Sequence, residues 1–396
     1  MAYEMEKAKE LVVKAGKRLV ETGLIARTWG NVSARISDTQ FVITPSGRAY
    51  ETLTPEEIVV VNIEDCSYDG EIKPSSEKGI HAAAYKIHPD IDFVIHSHQI
   101  HASALSPLGR NFTTSGKHEK ILGPVIPCAA YAMPSTNTLR DNVAHEMLQH
   151  PDAKAFILRH HGAVCIGTDY DDAFKVAETL EDFCKKQVKE IAAYVGGAKN
   201  KTLVKALNYK FNSKPSKPQD LGESTKITDN TFELKMADNS VYYCTINGNA
   251  YNGVAPRVSL IHAQIYKHTD ATHISFFTNN ELVALSKIVN KMKPHLDDFA
   301  QITGPAKVKN WELSSYRTDA VDIGKAFGPF RSVLVRGHGA LCIGKSRDEV
   351  EAVKLVLHKE AIAEAVCLLS HAVNPISSID NIIMRAVYVF KYSKLK

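Results

Sequence analysis

The pattern of apolar and polar positions predicts a first half in which helices and strands alternate. Helical patterns occur in four stretches, which predict helices over 4–22, 77–87, 102–105 and 169–195. A further helix, which Asn137 or Thr138 caps, is expected to run to Gln149. Short apolar runs predict strands over 40–44, 58–63, 93–96 and 155–159. This alternation is typical of an α/β fold.

The composition changes between residues 198 and 229. The run FNSKPSKP at 211–218 holds little that a core could bury, so it predicts a linker or an exposed crossover. Strand-like and helical patterns resume beyond it. We therefore expect a first domain over 1–197, a linker over 198–229 and a second domain over 230–396.

The second half repeats part of the first. The run RHHGAVCIG at 159–167 returns as RGHGALCIG at 336–344, with seven of nine positions identical. A histidine followed four residues later by a tyrosine also occurs in both halves, as His81 and Tyr85 and as His262 and Tyr266. A gene duplication that produced two domains of one fold explains both repeats.

Composition is that of a soluble globular protein, with 44% hydrophobic and 23% charged residues. The net charge of +4 is small for 396 residues and the basic residues are scattered, so we expect no binding of nucleic acid. No apolar run is long enough to span a bilayer, and residues 1–10 contain no apolar signal core. We expect a cytoplasmic location, which suits seven dispersed cysteines without a Cys-x-x-Cys pair.

The strand predicted at 93–96 ends in a His-x-His pair. Side chains at positions i and i+2 of a strand point the same way, so His96 and His98 can face one point. Neutral imidazoles are common ligands of divalent transition metals, and His160 or His161 offers a third after the next apolar strand. Three histidines with an open fourth position are typical of a catalytic site. The alternative is a chance pairing in a chain with 17 histidines.

The second half lacks this set. When His262 is aligned with His81, the counterparts of His96, His98 and Glu77 are Phe277, Asn279 and Val258. Only His338 remains, and one histidine does not hold a zinc ion. We therefore expect the second domain to keep the fold without the metal site and to serve a structural role.

Several short motifs of the first half occur together in one order. They are GNVS at 30–33, ITPSG at 43–47, PSSE at 74–77, HSH at 96–98 and HHG at 160–162. On these motifs residues 7–195 resemble the class II aldolase/adducin family, the group of fuculose-phosphate aldolase. The second half resembles the family at its histidine–glycine end. The resemblance implies two tandem class II aldolase-like α/β domains, each a mainly antiparallel central sheet flanked by helices.

The resemblance implies a metal site in the first domain. Family members bind a divalent ion, usually zinc, through three histidines, which here are His96, His98 and His161; Mn²⁺ and Co²⁺ are alternatives. Glu77 is the candidate for moving a proton beside the metal. Without the resemblance, Ser75-Ser76-Glu77 is typical of a helix N-terminus with an acid in its first turn.

The resemblance also implies a substrate and phosphate site. Its residues are Thr28, Asn31, Ser46, Gly47, Ser75 and Ser76. Backbone N–H groups at a helix N-terminus attract anions, and the two serines lie at such an end. Gly30-Asn31 and Ser46-Gly47 also suit ordinary turns.

The activity that the resemblance implies is a zinc-dependent lyase. It would cleave a phosphorylated ketose by a retro-aldol reaction through a metal-stabilised enediolate. An epimerase, decarboxylase or dehydratase acting on a sugar phosphate at the same metal site is an alternative, as is a non-catalytic adducin-like scaffold. The three retained histidines argue against the scaffold. The expected partner is a phosphorylated sugar or related keto compound, and family members are often homo-oligomers.

The chain departs from the family pattern on the aldehyde side of the reaction. Fuculose-phosphate aldolase protonates the leaving aldehyde with a tyrosine some twenty residues beyond the His-x-His pair. The corresponding stretch here, 111–118, contains no tyrosine. Lys117 and His118 are the substitutes that the sequence offers, because spacing does not place Tyr131 there.

Overall fold

The computed structural model describes residues 2–25, 29–194, 219–312, 316–372 and 375–390. The chain divides into two compact units, each with its own sheet. The first unit runs to Val188 and also takes in the described residues from Ala386 onward, and the second runs from Lys189 to Arg385. Among the described helices, none combines the length and apolar character that crossing a membrane requires.

The first unit contains a seven-stranded sheet in the order β3-β2-β1-β4-β9-β8-β7. Its strands are β1 (Asn31–Arg35), β2 (Gln40–Ile43), β3 (Val59–Asn62), β4 (Phe93–Ser97), β7 (Cys128–Ala129), β8 (Ala155–Leu158) and β9 (Ala163–Gly167). Two further short strands, β5 (Phe112–Thr113) and β6 (Val125–Ile126), pair with each other. Every neighbouring pair of the large sheet is antiparallel except β7 and β8.

Helices flank this sheet. They are α1 (Met5–Glu21), α2 (Lys78–Ile87), α3 (Ile100–Leu105), α4 (Glu119–Leu122), α5 (Asn137–Gln149) and α6 (Tyr170–Tyr194), with 3₁₀ turns at Pro55–Glu57 and Ser106–Leu108. The predicted helices and strands of this half are found at these places, with ends shifted by one or two residues. One predicted cap is wrong: the hydroxyl of Thr136, and not Asn137 or Thr138, accepts the hydrogen bond from the Leu139 N–H.

The second unit repeats the strand order. Its sheet runs β12-β11-β10-β13-β17-β16-β15-β14, and its one parallel pair, β15 and β16, matches β7 and β8. The strands are β10 (Glu223–Thr228), β11 (Thr231–Lys235), β12 (Val241–Thr245), β13 (His273–Phe277), β14 (Lys291–Met292), β15 (Ala306–Lys309), β16 (Ser332–Val335) and β17 (Gly339–Gly344). The helices are α7 (Ser259–His268), α8 (Asn280–Ser286), α9 (Asp297–Ile302), α10 (Tyr316–Ala326), α11 (Arg347–Leu369) and α12 (Ser378–Phe390). The duplication therefore extends over all seven strands of the first sheet, and β14 is an additional edge strand of the second.

The expected linker over 198–229 ends too late. Strand β10 lies inside that range and pairs with β11 and β13, so the second sheet begins at Glu223. Its sequence ESTKIT buries Ser224 and leaves most other positions exposed. A strand with so few apolar positions gives no alternating signal, which is why the pattern did not predict it.

A buried serine–histidine–tyrosine network joins helix to sheet in each unit. In the first, Ser33 Oγ lies 2.6 Å from His81 Nδ1 and 2.7 Å from the Tyr85 hydroxyl. In the second, Ser224 makes the same contacts with His262 and Tyr266, at 2.7 and 2.8 Å. Burial lowers the pKa of His81 to about 3 and that of His262 to about 4, so both imidazoles are neutral. The repeated histidine–tyrosine pair is thus part of the buried core of both units.

Ser224→Ala is expected to lower the free energy of unfolding by about 1–3 kcal/mol. The substitution removes the hydroxyl that His262 and Tyr266 share inside the core. Urea denaturation followed by circular dichroism measures the change. Ser240→Ala is the control, since this hydroxyl bonds Asp238 in a partly exposed turn. Equal stability of the two variants would contradict a stabilising role for the network.

Candidate metal centre

The strand register sets the positions of His96 and His98. His96 lies near the end of β4, opposite Asn31 of β1 on one side and Val164 of β9 on the other. His98 follows directly after β4. Both imidazoles are buried, at 0% and 6% exposure. The strand end therefore places two histidines on one side of the sheet, as its period of two predicts.

His161 comes from the tight connection between β8 and β9. The connection is closed by hydrogen bonds from Leu158 N to Gly162 O and from His161 N to Leu158 O. A Cβ at Gly162 would lie 2.3 Å from the carbonyl oxygen of Ser97, so only glycine permits this approach to β4. The glycine of the His-His-Gly motif thus brings His161 beside the His-x-His pair.

The three imidazoles converge on one point. One nitrogen from each of His96, His98 and His161 lies within 4.8 Å of the other two. His96 Nδ1 donates to the Ala163 carbonyl oxygen at 3.0 Å, which leaves its Nε2 as the ligand atom, 3.0 Å from His161 Nε2. Two nitrogens about 2.0–2.1 Å from one zinc ion lie roughly 3.4 Å apart in tetrahedral geometry. The donor set and its spacing fit a divalent transition-metal ion.

Glu77 completes the cluster. It lies immediately before α2, with Oε2 3.1 Å from His96 Nε2 and Oε1 3.4 Å from His161 Nε2. Burial raises the pKa of this carboxyl, but the attraction of His161 and His96 outweighs burial and holds the pKa well below its usual range. Glu77 is therefore anionic.

Two hydrogen bonds orient the Glu77 carboxylate. Asn31 Nδ2 donates to Oε2 and the Ser135 N–H to Oε1, each at 3.4 Å. The Asn31 Oδ1 in turn accepts from His81 Nε2 at 2.5 Å, so the buried network of the first unit continues to Glu77. Asn31 is the first residue of β1 and does not lie in a turn, which corrects the turn expected there.

The other residues of the predicted phosphate site lie in two adjacent loops. Pro45 and Pro74 form an isolated bridge, and the Ser46 N–H donates to the Lys73 carbonyl. Ser75 is buried and its hydroxyl accepts from the Glu77 N–H, whereas Ser76 is exposed and bonds the Ser135 hydroxyl. Gly47 has a φ of +76°. The structure therefore brings these residues to the N-terminal end of α2, while Thr28 lies outside the described residues.

Three further polar residues of this half, His101, Lys117 and His118, have structural contacts. His101 Nδ1 lies 2.7 Å from Glu181, which also accepts from the N–H groups at the start of α3. Lys117 and His118 both contact Asp182 of α6, at 3.3 and 3.2 Å. These contacts tie loops to α6, and both aldehyde-side donors that the sequence offers are bonded to Asp182.

Two further residues lie near the cluster: Tyr131, which the sequence analysis set aside on spacing, and Ser135, which it missed. The Tyr131 ring packs edge-on against His160, with ring centroids 5.3 Å apart, and the Ser135 N–H reaches Glu77. The parallel pairing of β7 with β8 carries the segment after Ala129 to the histidine turn. Such pairing joins distant parts of the chain, and no local pattern signals it.

The second unit does not reproduce the three histidines in its described residues, and the register identifies what replaces the first. His96 lies opposite Val164, and Phe276 lies opposite Leu341. Val164 and Leu341 occupy the same place in the repeated nine-residue motif. The counterpart of His96 is therefore Phe276, and the alignment that gave Phe277 is wrong by one position.

The same register places Thr278, and not Asn279, at the counterpart of His98. The shift arises because the connection from helix to strand is one residue shorter in the second unit. It comprises 269–272, against 88–92 in the first unit.

Comparison with known proteins places both units in one family. The family model described as "Class II Aldolase and Adducin N-terminal domain" matches residues 10–188 and 230–367. The 5-deoxy-D-ribulose 1-phosphate aldolase of Bacillus thuringiensis serovar kurstaki is 33% identical over 181 residues, which are 46% of this chain and 83% of that protein. The L-fuculose phosphate aldolase of Escherichia coli K12 is 35% identical over 181 residues, 45% of this chain and 81% of that protein.

The chain is also similar to solved structures. An L-fuculose 1-phosphate aldolase is 30% identical and has a TM-score of 0.44, over 52% of this chain and 97% of that chain. The second segment of the family match extends well beyond the histidine–glycine end on which the resemblance of the second half was recognised. The chain belongs to the class II aldolase and adducin family, as a tandem duplication in which both units match the family model.

Proposed function

We propose that the chain is a metal-dependent carbon–carbon lyase that cleaves a phosphorylated ketose by a retro-aldol reaction. The observation that carries the proposal is the convergence of three imidazoles and the Glu77 carboxylate in one buried cluster. The names of the two relatives, both aldolases of a sugar phosphate, support this substrate class.

Zinc is the first choice for the ion. Three neutral imidazoles with an open fourth position are typical of catalytic zinc, and Mn²⁺ or Co²⁺ would suit the same ligands. When bound, the ion would supply a Lewis acid that stabilises the negative charge of the enediolate left by cleavage. His96, His98 and His161 are the proposed ligands.

Glu77 is the proposed proton carrier. Retro-aldol cleavage removes a proton from the hydroxyl that becomes the aldehyde and adds one to the carbon that keeps the electron pair. A positioned carboxylate that takes up a proton can deliver it to that carbon. The Asn31 amide and the Ser135 N–H hold the carboxylate in one orientation. Because the Asn31 side chain already bonds Glu77 and His81, its contacts favour a positioning role over contact with phosphate.

The phosphate is proposed to bind where the loop of Ser46 and Gly47 meets Ser75 and Ser76. The N-terminus of α2 lies at this place, and the partial positive charge of a helix N-terminus stabilises an anion. Thr28 belongs to the proposed set by resemblance.

The aldehyde-side proton donor is proposed to be Tyr131. Lys117 and His118 are paired with Asp182, whereas the Tyr131 ring contacts the histidine turn. In cleavage the group at this place accepts the proton of the hydroxyl that becomes the aldehyde carbonyl, and in the reverse direction a phenolic hydroxyl can donate it to the aldehyde oxygen.

Turnover is expected to require the bound ion and to break a carbon–carbon bond. Protein treated with chelator and dialysed should convert no ketose 1-phosphate, and stoichiometric Zn²⁺ should restore release of dihydroxyacetone phosphate and an aldehyde. A coupled dehydrogenase assay and mass spectrometry measure both products. Isomerised, decarboxylated or dehydrated sugar phosphates without cleavage would favour the alternative reactions at this site. A protein with bound metal and no turnover on any such substrate would favour the scaffold.

A further inference from the structure

A second buried cluster of metal-ligating residues lies in the second unit. His295 precedes α9, and Glu360 and Glu364 lie one turn apart on the same face of α11. Their exposures are 3%, 0% and 6%. One ligand atom from each residue lies within 4.8 Å of the other two.

Glu360 fixes the orientation of His295. Its Oε1 accepts from His295 Nδ1 and from the His295 N–H, both at 2.9 Å, and its Oε2 accepts from the Leu296 N–H at 3.0 Å. Nδ1 and Oε1 already have about the spacing of two ligands of one ion, which would replace the proton between them.

Glu364 adds a carboxylate with an unsatisfied oxygen. Its Oε2 is buried and has no hydrogen-bond partner among the described residues. Burial, with a smaller contribution from Glu360, raises the pKa of Glu364 to about 9. A buried carboxylate without a partner is costly, so this one requires either a proton or a cation.

The carboxylates belong to the second copy alone. The repeated nine-residue motif leads without a gap into the long helix of each unit, which begins at Tyr170 in one and at Arg347 in the other. This alignment places Phe183 and Gln187 of α6 at the counterparts of Glu360 and Glu364. The cluster is therefore not a requirement of the shared fold.

We propose that His295, Glu360 and Glu364 bind a divalent transition-metal ion, Zn²⁺ or Mn²⁺, at a second site. One imidazole and two carboxylates form a donor set that suits both ions. The ion holds the segment before α9 against the middle of α11. Its positive charge offsets the free-energy cost of burying two carboxylates without a counterion. Its role is structural, and it is independent of the chemistry of the first unit.

The test is the number of metal ions per chain. Full-length protein is stripped with chelator, titrated with Zn²⁺ alone or Mn²⁺ alone, and analysed by calorimetry and elemental analysis. Wild type is expected to bind two equivalents of Zn²⁺, and the His96→Ala variant one. The double variant Glu360→Phe, Glu364→Gln carries the residues of the first copy and should also bind one. Glu351→Gln, an exposed position of α11, is the control and should bind two.

Two results would overturn the second site. One is a His96→Ala variant that binds no ion. The other is retention of two equivalents by the double variant. If the double variant does not fold, the stoichiometry of His96→Ala decides alone, and an anomalous scattering peak between α11 and the segment before α9 locates the ion. A midpoint of thermal unfolding that rises on adding Zn²⁺ to His96→Ala is the accompanying expected result.

Discussion

His96→Ala is expected to remove the divalent ion from the first unit and to lower kcat/KM by about a thousandfold or more. Loss of a Lewis acid at the reacting oxygens costs several kcal/mol of transition-state stabilisation, which corresponds to a factor of this size. The remaining pair of imidazoles also binds a divalent ion much less tightly than three. Elemental analysis and steady-state kinetics on the same preparation measure both effects.

The variant is expected to remain folded. The His96 side chain makes one hydrogen bond to the backbone, from Nδ1 to the Ala163 carbonyl, and the pairing of β4 with β1 and β9 uses only the backbone. Circular dichroism and a urea transition check this.

His338→Ala is the matched control, because His338 is the counterpart of His161 in the second copy. Its Nδ1 accepts from the Gln219 N–H, and it belongs to neither three-residue cluster. Metal content and turnover of this variant should equal those of wild type. Full turnover by His96→Ala would exclude a catalytic metal at the predicted ligands.

The local strand pattern predicts the pair of His96 and His98, whereas the choice of His161 as the third ligand rests on the resemblance. The period of a strand is local, so His96 and His98 could be placed side by side from the chain alone. His161 lies sixty-odd residues later and joins them because β9 pairs with β4, a contact between distant segments. The preference for His161 over His160 came from the family pattern, and the structure gives a reason in the close approach of Gly162 to Ser97.

Predictions failed where the signal lay in pairing or in loop length. Strand β10 is polar and exposed along most of its length, so it was included in the linker. The counterparts of His96 and His98 were displaced by one position, because a loop one residue shorter is invisible without the register of β13 and β17. Asn31 was expected in a turn, although its place at the start of β1 is what lets its amide reach both His81 and Glu77.

The cluster of His295 with Glu360 and Glu364 was absent from the sequence predictions for a related reason. The two glutamates are one helical turn apart, a spacing common on exposed helix faces, where carboxylates are solvated. Only the packing of α11 against α9 shows that this face is buried.

Glu77→Gln is expected to lower kcat by about a hundredfold to ten-thousandfold while the ion stays bound. Glutamine has nearly the same shape, and its amide oxygen can accept the bond from Asn31 or from the Ser135 N–H. It cannot take up and return a proton. The variant should therefore keep the three-histidine site and lose the step in which the carbon is reprotonated.

Two measurements separate proton transfer from metal binding. Elemental analysis should give the wild-type metal content, and exchange of the carbon-bound hydrogen of dihydroxyacetone phosphate with D₂O, followed by NMR, should fall as far as kcat. Glu64→Gln, whose side chain is 92% exposed beside Lys86, should change neither. Loss of the ion together with turnover would make Glu77 a residue that supports the ligands, because its contacts to His96 and His161 would then matter more than its proton. Exchange at the wild-type rate would show that another group transfers this proton, and Glu77 would then have no part in that step.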